Sequence, residues 1–255
     1  MASKVIIVTG ASRGIGLALC NFLLQKPQSA KLVVIARSKQ PLEDLKAQYP
    51  NDQVQVLAGD LSDYSLGQKA VELATSKWGR VDSMVLNHGV LGPIDRIANN
   101  DPKDWSSCFN VNIFSSVAFI TAALPHLRQS KGRIVFTSSG AASKHFTGWG
   151  AYGCSKAAVE HLAMALPVEE PDVIFVSVKP GVVDTELQRQ VRMDHASTQD
   201  AKDVELFNTL HSKGGLLQPH QPGNVLARLA LNCPPELSGK NLTWNDDVLK
   251  DFQDA

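Results

Sequence analysis

Residues 9–16 read TGASRGIG and directly follow the apolar run at 5–8. Gly10, Gly14 and Gly16 fall where a strand ends and a segment of helical apolar spacing, 17–24, begins. Glycine at such a joint permits a tight turn, lets backbone N–H groups approach an anion, and lets the helix pack closely on the strand. A pyrophosphate would lie at the helix N-terminus, where unpaired donors and the helix dipole favour negative charge. The spacing departs from G-x-G-x-x-G, and glycine turns also serve packing alone, so the placement between strand and helix carries the reading.

Working outward, short apolar runs at 32–35, 54–57, 84–86, 134–137 and 173–178 alternate with helix-like segments at 65–78, 105–127 and 152–166; a last short strand is expected at 241–244. That alternation predicts βαβ units. The strands are almost uniformly apolar, as expected when helices cover both faces of a sheet. The expected fold is α/β: a Rossmann-like, doubly wound, mostly parallel seven-stranded sheet, built as a single domain over residues 1–255. From 186 to 222 the chain turns polar, with Gly214, Gly215 and Pro219 as breakers and helical spacing only at 204–210. A departure of this length inside an α/β domain reads as a substrate lid, with an irregular surface excursion as the alternative.

The chain has 255 residues with 25 basic and 25 acidic side chains, so it carries no electrostatic footprint for nucleic acid or an anionic membrane. Small-molecule partners are expected instead. Cys20, Cys108, Cys154 and Cys233 are far apart, which argues against a disulfide framework or zinc site and for a reducing compartment. The histidines lack metal-ligand spacing, so no catalytic metal is expected. The apolar run after Lys4 is too short for a signal peptide, and no stretch is expected to span a bilayer; the expected location is the cytoplasm.

The second strand ends Ile35-Ala36-Arg37-Ser38, without the acid that would bind a free ribose 2′-hydroxyl. Arg37, with Arg13 in the glycine turn, could clamp a 2′-phosphate, which predicts NADPH (and NADP+) over NADH. The alternative is two solvated surface charges. Further on, Tyr152 and Lys156 stand four apart on a predicted helix and so share a face. A phenol with a pKa near ~10 is a poor proton carrier at neutral pH unless a cation stabilises its phenolate. Ser139 ends the fifth strand, at the carboxyl edge where ligands gather in such sheets.

In order along the chain, TGASRGIG, GDLS with Asp60, NHG at 87–89, NVN with Asn112, Ser139, YGCSK at 152–156 and PGVVDT at 180–185 resemble the motifs of the short-chain dehydrogenase/reductase family. The resemblance covers nearly the whole length. It implies a tetrad of Asn112, Ser139, Tyr152 and Lys156, in which Ser139 and Tyr152 hold a carbonyl oxygen, Tyr152 supplies a proton, and Asn112 holds a water relay behind Lys156. It also implies that Asp60 holds the adenine, that Asn87 supports the central strand, and that Val183 and Thr185 meet the nicotinamide carboxamide. The implied cofactor site comprises Gly10, Ser12, Arg13, Gly14, Ile15, Gly16, Arg37, Ser38, Asp60, Leu61, Asn87, Gly89, Tyr152, Lys156, Pro180, Gly181, Val183 and Thr185. His88 stands where the family more often has alanine, and reads as a packing residue with a satisfied ring.

GWGAY and the 169–188 segment are similar to sepiapterin reductase and to fungal carbonyl and benzil reductases, which implies reduction of ketones or vicinal diketones. Ser139, Phe146, Trp149, Tyr152, Leu187 and Met193 are expected around the substrate, with core packing as the alternative for the apolar ones. Asp246 aligns with a pterin-anchoring aspartate, or is an ordinary surface acid. Three functions follow: a carbonyl reductase, a pterin or secondary-metabolite ketoreductase, and an NADPH sensor without turnover. The family resemblance further implies a homodimer or homotetramer through the helices at 105–127 and 152–166.

Overall fold

The computed structural model describes residues 3–49 and 52–254. Seven parallel strands form one sheet: β1 (Val5–Thr9), β2 (Lys31–Ala36), β3 (Val54–Ala58), β4 (Ser83–Leu86), β5 (Arg133–Thr137), β6 (Ile174–Lys179) and β7 (Lys240–Thr243). Their order is β3-β2-β1-β4-β5-β6-β7, so the chain reverses direction across the sheet between β1 and β4. At such a switch point the loops leave in opposite directions and open a crevice beyond the strand ends. Register aligns those ends: Thr9 pairs with Ile35 and Leu86, and Leu86 with Phe136.

Uniformly apolar strands follow from a core on each face. Ile6, Val8, Leu32, Val34, Val85, Val135 and Val176 point to one side, under α1 (Gly14–Leu24) and α9 (His220–Asn232). Val5, Ile7, Val33, Ile35, Met84, Ile134 and Phe136 point to the other, under α3 (Ser65–Trp78), α5 (Ser115–Ser130) and α6 (Gly150–Glu169). Alternate residues of one strand thus enter opposite cores.

Three expectations need correction. The segment at 105–127 is interrupted: α4 (Pro102–Phe109) passes through a π-helical turn, Asn110–Phe114, before α5 continues. Pro102–Ser130 is also long and apolar enough, by length and composition, to cross a membrane. It is a core element here, since Phe119, Ile120, Ala123 and Leu127 are buried in the cluster shared with α3. The polar stretch after Thr185 is more ordered than its composition suggests, with α7 (Glu186–Met193), α8 (Ala201–Ser212) and then α9. Thr185 starts α7 by accepting the Gln188 N–H on its hydroxyl, and Glu186 complements the dipole in the first turn. Helix α2 (Lys39–Ala47) buries only Leu42 and Leu45 and had no strong apolar signature.

Candidate active site

The glycine turn has the conformation its sequence demands. Gly10 (φ +67°) and Gly14 (φ +55°) occupy the left-handed region. Gly16 is fixed by contact instead: a Cβ there would lie 2.1 Å from the Gly10 carbonyl oxygen and 2.7 Å from Asn87 Nδ2. No side chain caps α1, so its first N–H groups face the crevice. Asn87 ties the turn to the sheet, donating from Nδ2 to the carbonyls of Thr9 and Gly10 and accepting the Thr137 hydroxyl on Oδ1 (3.1 Å).

The turn opens into a cleft of about 1370 Å³. Its walls include Gly10, Ser12, Arg13, Gly14, Ile15, Arg37, Ser38, Asp60, Leu61, Asn87 and Gly89 on one side, and Pro180, Gly181, Val183 and Thr185 on the other. Gly16 lies behind the wall. Arg13 and Arg37 are exposed, and neither forms an ion pair or side-chain hydrogen bond among the described residues. Asp60 holds the Ser62 N–H (2.9 Å) and hydroxyl (2.8 Å) on Oδ1, and these bonds keep its carboxyl below the usual range. Donors at an uncapped helix, two cations without carboxylate partners and a bare backbone suit a phosphorylated dinucleotide. The residues present therefore fit the group that the sequence led us to expect.

Tyr152, Lys156 and Ser139 meet in the same cleft. Lys156 Nζ donates to the Thr137 carbonyl (2.8 Å), which links it through Thr137 and Asn87 to the glycine turn, and it stands 5.9 Å from the centre of the Tyr152 ring. Burial lowers the Lys156 pKa to about 8. It pushes Tyr152 up to about 12, with the Ser139 hydroxyl pulling weakly the other way. A phenolate is therefore not the form present in the free protein, because burial raises the phenol more than the Ser139 hydrogen bond lowers it. At neutral pH Tyr152 is a phenol with a proton to give.

Asn112 sits behind this group rather than in the cleft wall. It is buried in the π turn; its Oδ1 accepts the Val90 N–H (2.9 Å), and its Nδ2 donates to the Val90 carbonyl and the Ser155 hydroxyl (2.9 Å each). His88 has the satisfied ring expected of a packing residue, but it also borders the cleft. Its Nδ1 pairs with Thr9 Oγ1 (2.7 Å) and its Nε2 with the Val111 carbonyl and Ser115 Oγ, while burial lowers its pKa to about 3 and keeps it neutral.

On the far side of Tyr152 lies a third apolar cluster. Trp149 meets Tyr152 edge-on at 5.7 Å, stacks on Phe207 at 5.7 Å, and lies 5.0 Å from Phe146; Leu187 and Val191 complete the wall from α7. Two expected substrate residues are elsewhere. Met193 is 66 % exposed and outside the wall, because it lies two positions beyond Val191, about 200° around the helix. Asp246 is also outside: its Oδ2 accepts the Thr243 N–H (2.7 Å), closing the turn after β7. Phe207 and Gln188 do line the cleft and were missed. Phe207 fell within the helical spacing at 204–210 and could have been found by asking which lid aromatic faces inward; Gln188 had no signal in the sequence.

A nucleotide cradle beside a buried tyrosine and lysine defines an oxidoreductase of the dinucleotide-binding class. The model of the short chain dehydrogenase family matches residues 4–196, and the chain belongs to that family. It is 43% identical over 249 residues to an uncharacterized oxidoreductase of Schizosaccharomyces pombe, covering 97% of this chain and 98% of the relative. It is 39% identical over 260 residues to a benzil reductase ((S)-benzoin forming) of Saccharomyces cerevisiae, covering 98% and 99%. A crystal structure of a short chain dehydrogenase/reductase from Saccharomyces cerevisiae superposes with a TM-score of 0.96 at 38% identity, covering 99% of this chain and all (100%) of that one.

Proposed function

We propose that this oxidoreductase is an NADPH-dependent carbonyl reductase that converts a bulky or aromatic ketone, or a vicinal diketone, to a secondary alcohol. The observation that carries the reading is the meeting of Tyr152, Lys156 and Ser139 in one cleft between an anion cradle and an aromatic wall. NADPH, when bound, supplies the hydride. The glycine turn with Arg13 and Arg37 holds the phosphates, Asp60 the adenine end, and the backbone near Val183 with Thr185 the carboxamide end. Ser139 and Tyr152 donate hydrogen bonds to the substrate carbonyl oxygen, which strengthen as negative charge develops there. Tyr152 then releases its proton to that oxygen. Lys156, held on the Thr137 carbonyl, offers an adjacent cation to the tyrosine oxygen as it becomes negative. Asn112 braces this group by fixing Val90 and Ser155, which in turn donates to the Tyr152 carbonyl (2.8 Å).

Helices α7 and α8 are the cover, and the whole chain acts as one domain. The likeness to a benzil reductase supports an aromatic diketone, as do the stacked rings of Trp149 and Phe207. A pterin substrate loses its residue-level support, because Asp246 is engaged outside the cleft. A pure sensor has no use for a tyrosine, lysine and serine gathered at one point. A homodimer or homotetramer through α5 and α6 is supported by exposed Val117, Met164 and Val168 along those helices and Phe114 in the turn just before α5, and cytoplasmic residence by four unpaired cysteines. NADPH consumption with benzil, 2,3-butanedione, aromatic monoketones, quinones and sepiapterin tests the reading; turnover with none of the ketones would overturn it.

A further inference from the structure

Three buried side-chain polar atoms lack a hydrogen-bond partner among the described residues: Ser83 Oγ, Arg133 Nε and Gln188 Nε2. Ser83 and Arg133 are register partners at the start of β4 and β5, at the opposite edge of the sheet from the cleft. Gln188 is different, because it forms part of the cleft wall while only 6 % exposed.

Its other polar groups are committed. The backbone N–H goes to Thr185 Oγ1, and Oε1 accepts from Arg192 Nε one turn further along α7. The guanidinium, which cannot accept a hydrogen bond, fixes the orientation of the amide: oxygen towards Arg192, NH2 away from it. It also polarises the amide and makes the remaining N–H a better donor. Leu187 and Val191, beside Gln188 on the same helix, pack in the apolar cluster with Trp149 and Tyr152. Nε2 is closed to water, so it meets the acceptor it lacks only when a molecule lodged in the cleft shifts the Gln188 side chain.

We propose that Gln188 is a specificity-determining residue, whose Nε2 takes the second oxygen of a 1,2-dicarbonyl while Ser139 and Tyr152 hold the first. A neutral carbonyl suits a single amide donor in an apolar wall, whereas a carboxylate would lose more hydration than one amide replaces. Arg192 is the positioning residue, acting through the amide it orients. The inference rests on the carbonyl-reductase reading above and narrows it to ketones with an acceptor on the neighbouring carbon.

Benzil and deoxybenzoin, which differ in one carbonyl oxygen against a methylene, isolate the contact. In Gln188→Leu, kcat/KM for benzil is expected to fall at least about tenfold more than for deoxybenzoin, with the KM for NADPH unmoved. Arg192→Met should shift the same ratio in the same direction by less. Gln188→Leu removes a buried donor that has no partner together with the acceptor of Arg192 Nε, so its melting temperature should fall about as far as that of Arg192→Met, which loses the same bond. Equal losses on both ketones, an unchanged ratio, or a rise confined to the KM for NADPH would overturn the proposal. Failure of the wild type to reduce either ketone would refute the reductase reading itself, and this inference with it.

Discussion

On the proposed NADPH reading, replacing Arg37 with alanine should remove about half of the free energy that separates NADPH from NADH binding. The side chain follows the last residue of β2 at the rim of the cleft; neither it nor Arg13 forms an ion pair among the described residues, although Asp60 lies near Arg37 and Glu186 near Arg13. A hydrogen bond to a charged group contributes about 1.5–3 kcal/mol, and exposure to solvent puts these at the lower end. About 1.5 kcal/mol per arginine is about tenfold in Kd, so the pair gives about a hundredfold preference. Titration of NADPH and NADH by protein fluorescence, with wild type, Arg37→Ala, Arg13→Ala and Arg37→Asp, reads this directly. Each alanine variant should weaken NADPH about tenfold and leave NADH nearly unchanged, and the NADPH preference should shrink with added salt. Arg37→Asp should favour NADH, since a carboxylate accepts a ribose hydroxyl and repels a phosphate. Equal wild-type affinities, or a loss in Arg37→Ala shared by both nucleotides, would refute the reasoning.

Other consequences follow from single contacts. Gly16→Ala drives a methyl group into the Gly10 carbonyl and should cost about 3 kcal/mol or more in denaturant unfolding, because backbone cannot move aside as a side chain can. In the free protein Lys156 titrates near about 8 and Tyr152 near about 12. Reduction requires the ammonium and the phenol, so kcat/KM should be level below about 8 and fall as pH rises through that value and Lys156 loses its charge; a profile flat to pH 10 would contradict this. Asp246→Ala should cost about 1 kcal/mol of stability through the lost bond to the Thr243 N–H and leave substrate KM unchanged, as steady-state kinetics beside thermal unfolding would show.

The sheet was readable because its five inner strands are buried on both faces, which leaves an apolar run too short for a helix and bounded by turns. The glycine turn, Tyr152 and Lys156 were readable because local geometry links them: a strand-to-helix joint, and one helical turn. What escaped depends on contacts distant in sequence. Helix α9 carries Pro222 and Gly223 in its first turns and earns its place only by packing on α1, where a Cβ on Gly223 would sit 3.3 Å from the Ile15 carbonyl. Helix α7 reads ELQRQVRM; the four-residue spacing of Leu187 and Val191 marks a shared face, but nothing in that string brings Gln188 inward with them. Asp246 fits a resemblance by position, yet its carboxylate is taken by the turn at 243–246, which a position cannot reveal. The proton affinity of Tyr152 is likewise set by burial against the Ser139 hydroxyl; the spacing shows that Lys156 is near, and only the fold shows how thoroughly water is excluded.

The central claim is that the Tyr152 hydroxyl delivers the proton to a carbonyl oxygen beside bound NADPH. Single-turnover NADPH oxidation with benzil, measured for wild type and Tyr152→Phe alongside NADPH affinity, tests it most directly. The account predicts nucleotide binding within about twofold of wild type and a turnover lower by about 10²-fold to 10⁴-fold. Turnover at the wild-type rate in the phenylalanine variant would contradict it.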